Sequence, residues 1–195
     1  MAESLTYFTA DLHFGHANII KFCQRPWKTA DEMDAGLIER WNEVVTEKDE
    51  VWILGDVAMG NWRKAVSCLV QLVGRKHLII GNHDAALIRK GGFLDCFETV
   101  DNLRTIKVPD EDAPGKRRHV VLCHYPLAVW DRSHHGTYHL HGHCHASMMR
   151  PVYGRRLDVG VDAWDYAPVS YSRVSNLLSH RKPATPDHHY TPKER

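Results

Sequence analysis

The stretch Leu140–His145, LHGHCH, sets His141, His143 and His145 at every second position, and Gly142 leaves the backbone room to bend. In an extended segment alternate side chains share a face, so His143 and His145 are expected to point the same way, with Cys144 turned aside as a bystander. Neutral imidazole is the commonest protein ligand for divalent transition metals. A surface strand could show a similar cluster by chance in a chain with 15 histidines, but further donors stand upstream. Asp11 and His13 stand two apart after an apolar run, Asp56 follows Gly55, Asn82 follows Gly81, and His124 follows Cys123. With His143 and His145 these groups supply carboxylate, amide and imidazole donors. The set is too large for one tetrahedral ion and suits two adjacent divalent ions that share a bridging carboxylate. Two such ions about 3.5–4 Å apart acidify a shared water into a nucleophile and stabilise negative charge that grows on a bound substrate.

These groups must be delivered by strand ends. Apolar runs at Leu5–Ala10, Val51–Leu54, His77–Ile80, His119–Cys123, Tyr138–Leu140 and Leu157–Val161 read as short buried strands. One or two more are expected in Phe97–Val108, followed by an exposed hairpin loop over Pro109–Arg118. Helical patterns start at His16 and stop at Arg25-Pro26, then recur over about Asp31–Val45, from Asn61 to about Val73, and over Tyr171–Ser179. Leu127–Gly136 reads as a loop or short helix, with His134 and His135 expected as exposed loop residues in preference to groups that support the site from outside the ligand set. Helical connections between short strands predict an α/β sandwich with helices on the sheet faces. In such folds ligands gather where strands end and loops begin, the position of every polar cluster here.

The 195 residues fit one domain, expected over residues 1–180, with a disordered Pro/His/Lys/Arg tail over 181–195. A net charge of +1 argues against an extended nucleic-acid surface. No run approaches the roughly 20 apolar residues that span a bilayer, and no secretion signal is visible, so no membrane partner is expected. The five cysteines form no CxxC pair, which suits a reducing cytoplasm and argues against a disulfide framework or a structural zinc knuckle.

Taken in order, DLH, GDVAMG, GNHD, CH and GHCH, from Asp11 to His145, resemble the blocks of the calcineurin-like metallophosphoesterases. The stretch DLHFGHANIIKFCQRPW is similar to a small bacterial and phage branch of that family. The resemblance implies a four-layer α-β-β-α sandwich with mixed sheets. It also implies that Asp11, His13 and His145 hold a first metal, that Asn82, His124 and His143 hold a second, and that Asp56 bridges them. His83 would stand near the leaving-group oxygen as proton donor, with Asp84 orienting it or capping the helix that follows. His16, Asn18 and Arg25 would line the site, the alternative for the first two being helix capping. Manganese is the first expectation for both ions, and mixed N/O ligation also admits iron, nickel, cobalt or zinc.

The expected activity is a phosphodiesterase acting on small or nucleotide diesters, cyclic ones included. Two divalent ions, two carboxylates and a hydroxide leave a formal charge of about +1, matching a singly charged diester. A doubly charged monoester would ask for further cations, for which Arg25 and Arg132 are candidates. The alternatives are a phosphomonoesterase or protein phosphatase, a nuclease, or a non-catalytic scaffold. Phe14, Tyr125, Trp130, Trp164 and Tyr166 are read as core residues or as platforms for a nucleobase, and Asp162 as a partner that orients a ligand histidine or as an ordinary strand-end turn residue.

Overall fold

Alternation of apolar side chains along the strands decides the architecture. The computed structural model describes residues 4–148 and 154–184. Strands β1 (Thr6–Thr9), β2 (Glu50–Ile53), β3 (Arg75–Ile79) and β4 (Thr99–Asp101) pair in parallel, and β9 (Val169–Ser170) joins β1 antiparallel, giving the order β4-β3-β2-β1-β9. The second sheet runs β5 (Leu103–Pro109), β6 (Arg117–Cys123), β7 (Tyr138–His141), β8 (Arg156–Asp158), with β5 antiparallel to β6 and the rest parallel. Both sheets are mixed, as the sandwich expectation requires.

Tyr7, Val51, Ile53 and Leu78 face outward from the first sheet, onto helices α1 (Ala17–Phe22), α2 (Ala30–Val44) and α3 (Trp62–Leu69). Ile19, Ile20, Met33, Leu37, Trp41 and Leu69 meet them there. Phe8, Trp52, Leu54 and Ile79 point the other way and pack on Val120, Leu122, Tyr138 and Leu140 of the second sheet. Helix α4 (Tyr171–Ser179) closes this inner layer through Val174 and Leu178. Each such buried side chain contributes about 1.5–3 kcal/mol, so the two layers hold the strand ends in fixed register. The outer face of the second sheet is covered by the loop after β6, where buried Trp130 leans on His139 and donates to Thr137 O at 3.0 Å.

Helix α2 begins where Thr29 Oγ1 accepts from Glu32 N at 3.2 Å, while Glu32 accepts from Lys28 N at 2.9 Å. Helix α3 ends at Leu69, short of the expected Val73, because the chain tightens into i→i+3 bonds from Gln71 N to Cys68 O and from Leu72 N to Leu69 O. Strand β8 stops at Asp158, short of the expected Val161, because the chain crosses there to the first sheet, bridging Gly160 to Ala10. Arg181, assigned to the tail by its composition, is tied down: its Nη1 donates to Arg156 O at 2.6 Å and its carbonyl accepts from Arg155 Nε at 2.9 Å. The remainder of the expected tail, 185–195, lies outside the described residues. Among the described residues, no helix is long and apolar enough to cross a membrane.

Candidate metal centre

The loops after β1 and β2 run side by side: Asp11 N donates to Gly55 O, His13 N to Asp56 O and Phe14 N to Val57 O, at 2.9–3.0 Å. Asp34 of α2 fixes the first loop by accepting from Gly15 N at 2.9 Å. The loop after β3 presses against the second, and a Cβ on Gly55 would lie 2.6 Å from Gly81 Cα. Asp84 joins these two loops. Its carboxylate accepts from Asp56 N, Val57 N and Gly81 N at 2.8–2.9 Å. The expected role of Asp84, orienting the His83 ring, is therefore corrected: its oxygens are committed to backbone amides, and Asp84 positions Asp56.

The expected reason for shared facing also changes. Asp11, His13, Asp56, His143 and His145 have φ of 59°, 55°, 55°, 69° and 47°, so they lie on left-handed turns beyond the strand ends and not on extended backbone. Strand β7 stops at His141, whose Nδ1 donates to Gly142 O at 2.9 Å. The turns bring the donors together all the same. One ligand atom each from Asp11, His13 and His145 lies within 4.8 Å of the others, and the same holds for Asp56, His124 and His143. Asn82 Oδ1 sits 3.0 Å from both His124 Nε2 and His143 Nδ1. Asp56 stands between the sets, its Oδ2 3.7 Å from His13 Nε2 and 3.5 Å from His124 Nε2.

These groups suit divalent cations. His13 Nε2 is buried with no hydrogen-bond partner, a costly arrangement for a nitrogen unless something else binds it. His124 Nδ1 contacts Leu54 O at 2.7 Å and His145 Nδ1 contacts Asp162 Oδ2 at 2.7 Å. With those nitrogens as donors, each ring keeps its Nε2 lone pair for a metal, the usual arrangement around ligand histidines. Burial pushes the Asp11 carboxyl up to about 7 and lowers the His13 imidazole to about 3. Burial also opposes ionisation of Asp56, but His124 and the His83 N–H outweigh it and hold that carboxyl at about 2.

The remaining sequence candidates divide. His83 lies at the rim, its Nε2 3.9 Å from Asp56 Oδ2 and its N–H donating to Asp56 Oδ1 at 2.9 Å. His16 stands beside the centre, its Nδ1 3.4 Å from His13 Nδ1, and makes no side-chain cap to α1. Asn18 is exposed on α1. Arg25 is corrected outright as a substrate-lining residue. Its side chain is fully buried, forks onto Asp162 at 2.8 and 2.9 Å, and donates to Asp11 O and Leu12 O at 2.7 and 2.9 Å. Arg25 thus positions Asp162, which orients His145 as read from the sequence. Of the aromatic candidates, Phe14 and Trp130 are core, whereas Tyr125 is 45% exposed and packs edge-on against His124 and His143.

A mixed-sheet sandwich with such donors at its strand ends defines a class. The chain belongs to the calcineurin-like phosphoesterase family, whose pattern matches residues 5–191, and membership makes it a metal-dependent hydrolase of phosphoric esters. It is 33% identical over 199 residues to the Gene 66 protein of Mycobacterium phage L5, covering 91% of this chain and 95% of that one. An uncharacterized protein of Methanocaldococcus jannaschii is 31% identical over 189 residues, covering 93% and 96%. Among solved structures, a protein of unknown function from Aquifex aeolicus superposes with a TM-score of 0.69 at 22% identity, covering 90% of this chain and 100% of that one.

Proposed function

We propose that the protein is a phosphodiesterase that works with two divalent cations, manganese first among them, on small or nucleotide diesters, including cyclic ones. The observation that carries this reading is the convergence of two donor sets on either side of Asp56. Asp11, His13 and His145 would hold one cation, Asn82, His124 and His143 the other, with Asp56 shared. Bound there, the pair would acidify a water and stabilise negative charge on the phosphoryl oxygens. His83, half-buried at the rim, would give a proton to the departing oxygen. Its N–H bond to Asp56 ties that ring's placement to the shared carboxylate.

The preference for diesters draws support from the cations that do not reach the centre. Arg25 is spent on Asp162. Arg132 lines a cleft with Arg117, Arg118 and His119, at the end of β6 opposite to His124. A doubly charged monoester would find neither guanidinium. Exposed Tyr125 offers a face on which a nucleobase could stack. A cytoplasmic setting fits the five free cysteines. The test is the initial rate on an aryl phosphodiester against the matching monoester after manganese loading. Faster diester turnover is expected, and a strong monoester preference would overturn the reading.

A further inference from the structure

Behind the metal centre, on the outer face of the second sheet, lies another set of donors. His141 and Asp158 are paired across β7 and β8, and the turn that carries His143 and His145 folds Cys144 back over them. One ligand atom from each of His141, Cys144 and Asp158 lies within 4.8 Å of the other two. His141 is 2% exposed, and with Nδ1 donating to Gly142 O at 2.9 Å its Nε2 is left as the lone-pair nitrogen. His124 and His145 are oriented in the same way, each by an oxygen at Nδ1. His141 and Asp158 border a cavity of about 230 Å³ that includes Trp164, Arg156 and Arg181 in its wall.

We infer that His141, Cys144 and Asp158 form a separate binding site for a zinc-like ion, with a fourth position open to that cavity. A thiolate, an imidazole and a carboxylate are a borderline-soft set that favours zinc over manganese or magnesium. Binding would release the thiol proton, and the two anionic donors would then balance a divalent charge. Of the two guanidinium groups in the wall, Arg156 is directed to Leu127 O at 2.8 Å and to Met148 Sδ at 3.5 Å, and Arg181 to Arg156 O at 2.6 Å. Asp158 Oδ2 already accepts from Ala146 N at 3.2 Å. An ion bound here would therefore clamp the His143–His145 turn to the sheet from behind. The site does not depend on which ester the enzyme cleaves.

A second cysteine supplies the rival assignment, since Cys23 groups with His145 and Asp162. Asp162, however, is already shared between Arg25 and His145. Titrating the whole metal-free chain with cobalt separates the two, because only a cysteine ligand gives the intense near-ultraviolet thiolate-to-cobalt band. The band is expected in the wild type, in Cys23→Ser and in His13→Ala, and lost in Cys144→Ser and Asp158→Asn. No band in the wild type, or a band that disappears with Cys23 or survives Asp158→Asn, would overturn the assignment. A measurement on the wild type alone adds an independent check. Zinc should slow alkylation of Cys144 by iodoacetamide, read by peptide mass spectrometry, while leaving that of Cys96 unchanged; equal rates with and without zinc would refute the site.

Discussion

Replacing Arg25 with methionine tests the chain of contacts that holds His145. The guanidinium is fully buried and makes a two-pronged pair with Asp162, and it also supplies donors to the Asp11 and Leu12 carbonyls. Methionine would fill much of the volume but would leave the Asp162 carboxylate, 6% exposed, without its cation. Breaking one side of a buried pair costs about 3–5 kcal/mol. For a chain of this length that is roughly 6–20 °C in Tm, at about 2–4 °C per kcal/mol. Since Asp162 orients His145, metal affinity should fall about 10–100-fold, while KM at saturating metal stays near the wild-type value. Urea unfolding, manganese calorimetry and steady-state kinetics read the three quantities separately. Burial would raise the Asp162 carboxyl, but its bonds to His145 and Arg25 hold it below its ordinary 3.8. That stabilisation is present above pH 3.8 and is lost as pH falls through the lower folded value, so wild type and variant should converge in acid. A loss under about 1 kcal/mol, or a raised KM with metal affinity intact, would refute the positioning role and restore Arg25 as a substrate contact.

Four further outcomes are expected. His83→Ala should lower kcat by about 10²–10⁴-fold while leaving metal content unchanged, with a smaller loss for aryl leaving groups that need no proton; loss of metal on direct assay would contradict this. Because burial raises Asp11 to about 7, metal loading near neutral pH must expel its proton. Affinity should therefore climb as pH rises through that value, with proton release seen by calorimetry in buffers of different ionisation enthalpy. His13 acts on the metal-free fold: with its folded value lowered to about 3, stability should decline as pH falls from 6.5 toward 3, as acid titration by circular dichroism would show. Gly160→Ala would place a Cβ 2.6 Å from Asp11 Oδ2. It should cost about 1–3 kcal/mol in urea unfolding and weaken metal binding, whereas wild-type values in both would show that the carboxylate has room to move.

The sequence shows the ligands because each follows a short apolar strand, and both strand and polar stop are local patterns. Asp11, Asp56, Asn82 and His124 lie one to three residues beyond their strands. It does not show how the ligands converge. Positive φ at Asp11, His13, Asp56, His143 and His145 falls on residues other than glycine, so although Gly55 and Gly142 stand beside two of them, the sequence does not mark the turning residues themselves. The role of Arg25 is hidden for a related reason: it sits in a motif full of site residues, but its partner Asp162 is 137 positions away. Asp84 is similar, a helix-start carboxylate by sequence whose amide partners at Asp56 and Val57 come from another loop. The end of α3 is not legible because Gln71 and Leu72 continue a helical pattern even where the backbone changes its hydrogen-bond step.

The left-handed turns under five of the metal-donor residues bear on the fate of the protein in a cell. Each strained position costs on the order of 1–3 kcal/mol, and clustering them at one rim makes that rim the weakest part of an otherwise tightly packed sandwich. A ligand that binds only the folded arrangement offsets this in proportion to its free concentration. Molecules starved of divalent ions should thus be the first that proteases clear, so the abundance of the enzyme, as well as its turnover, would follow metal supply.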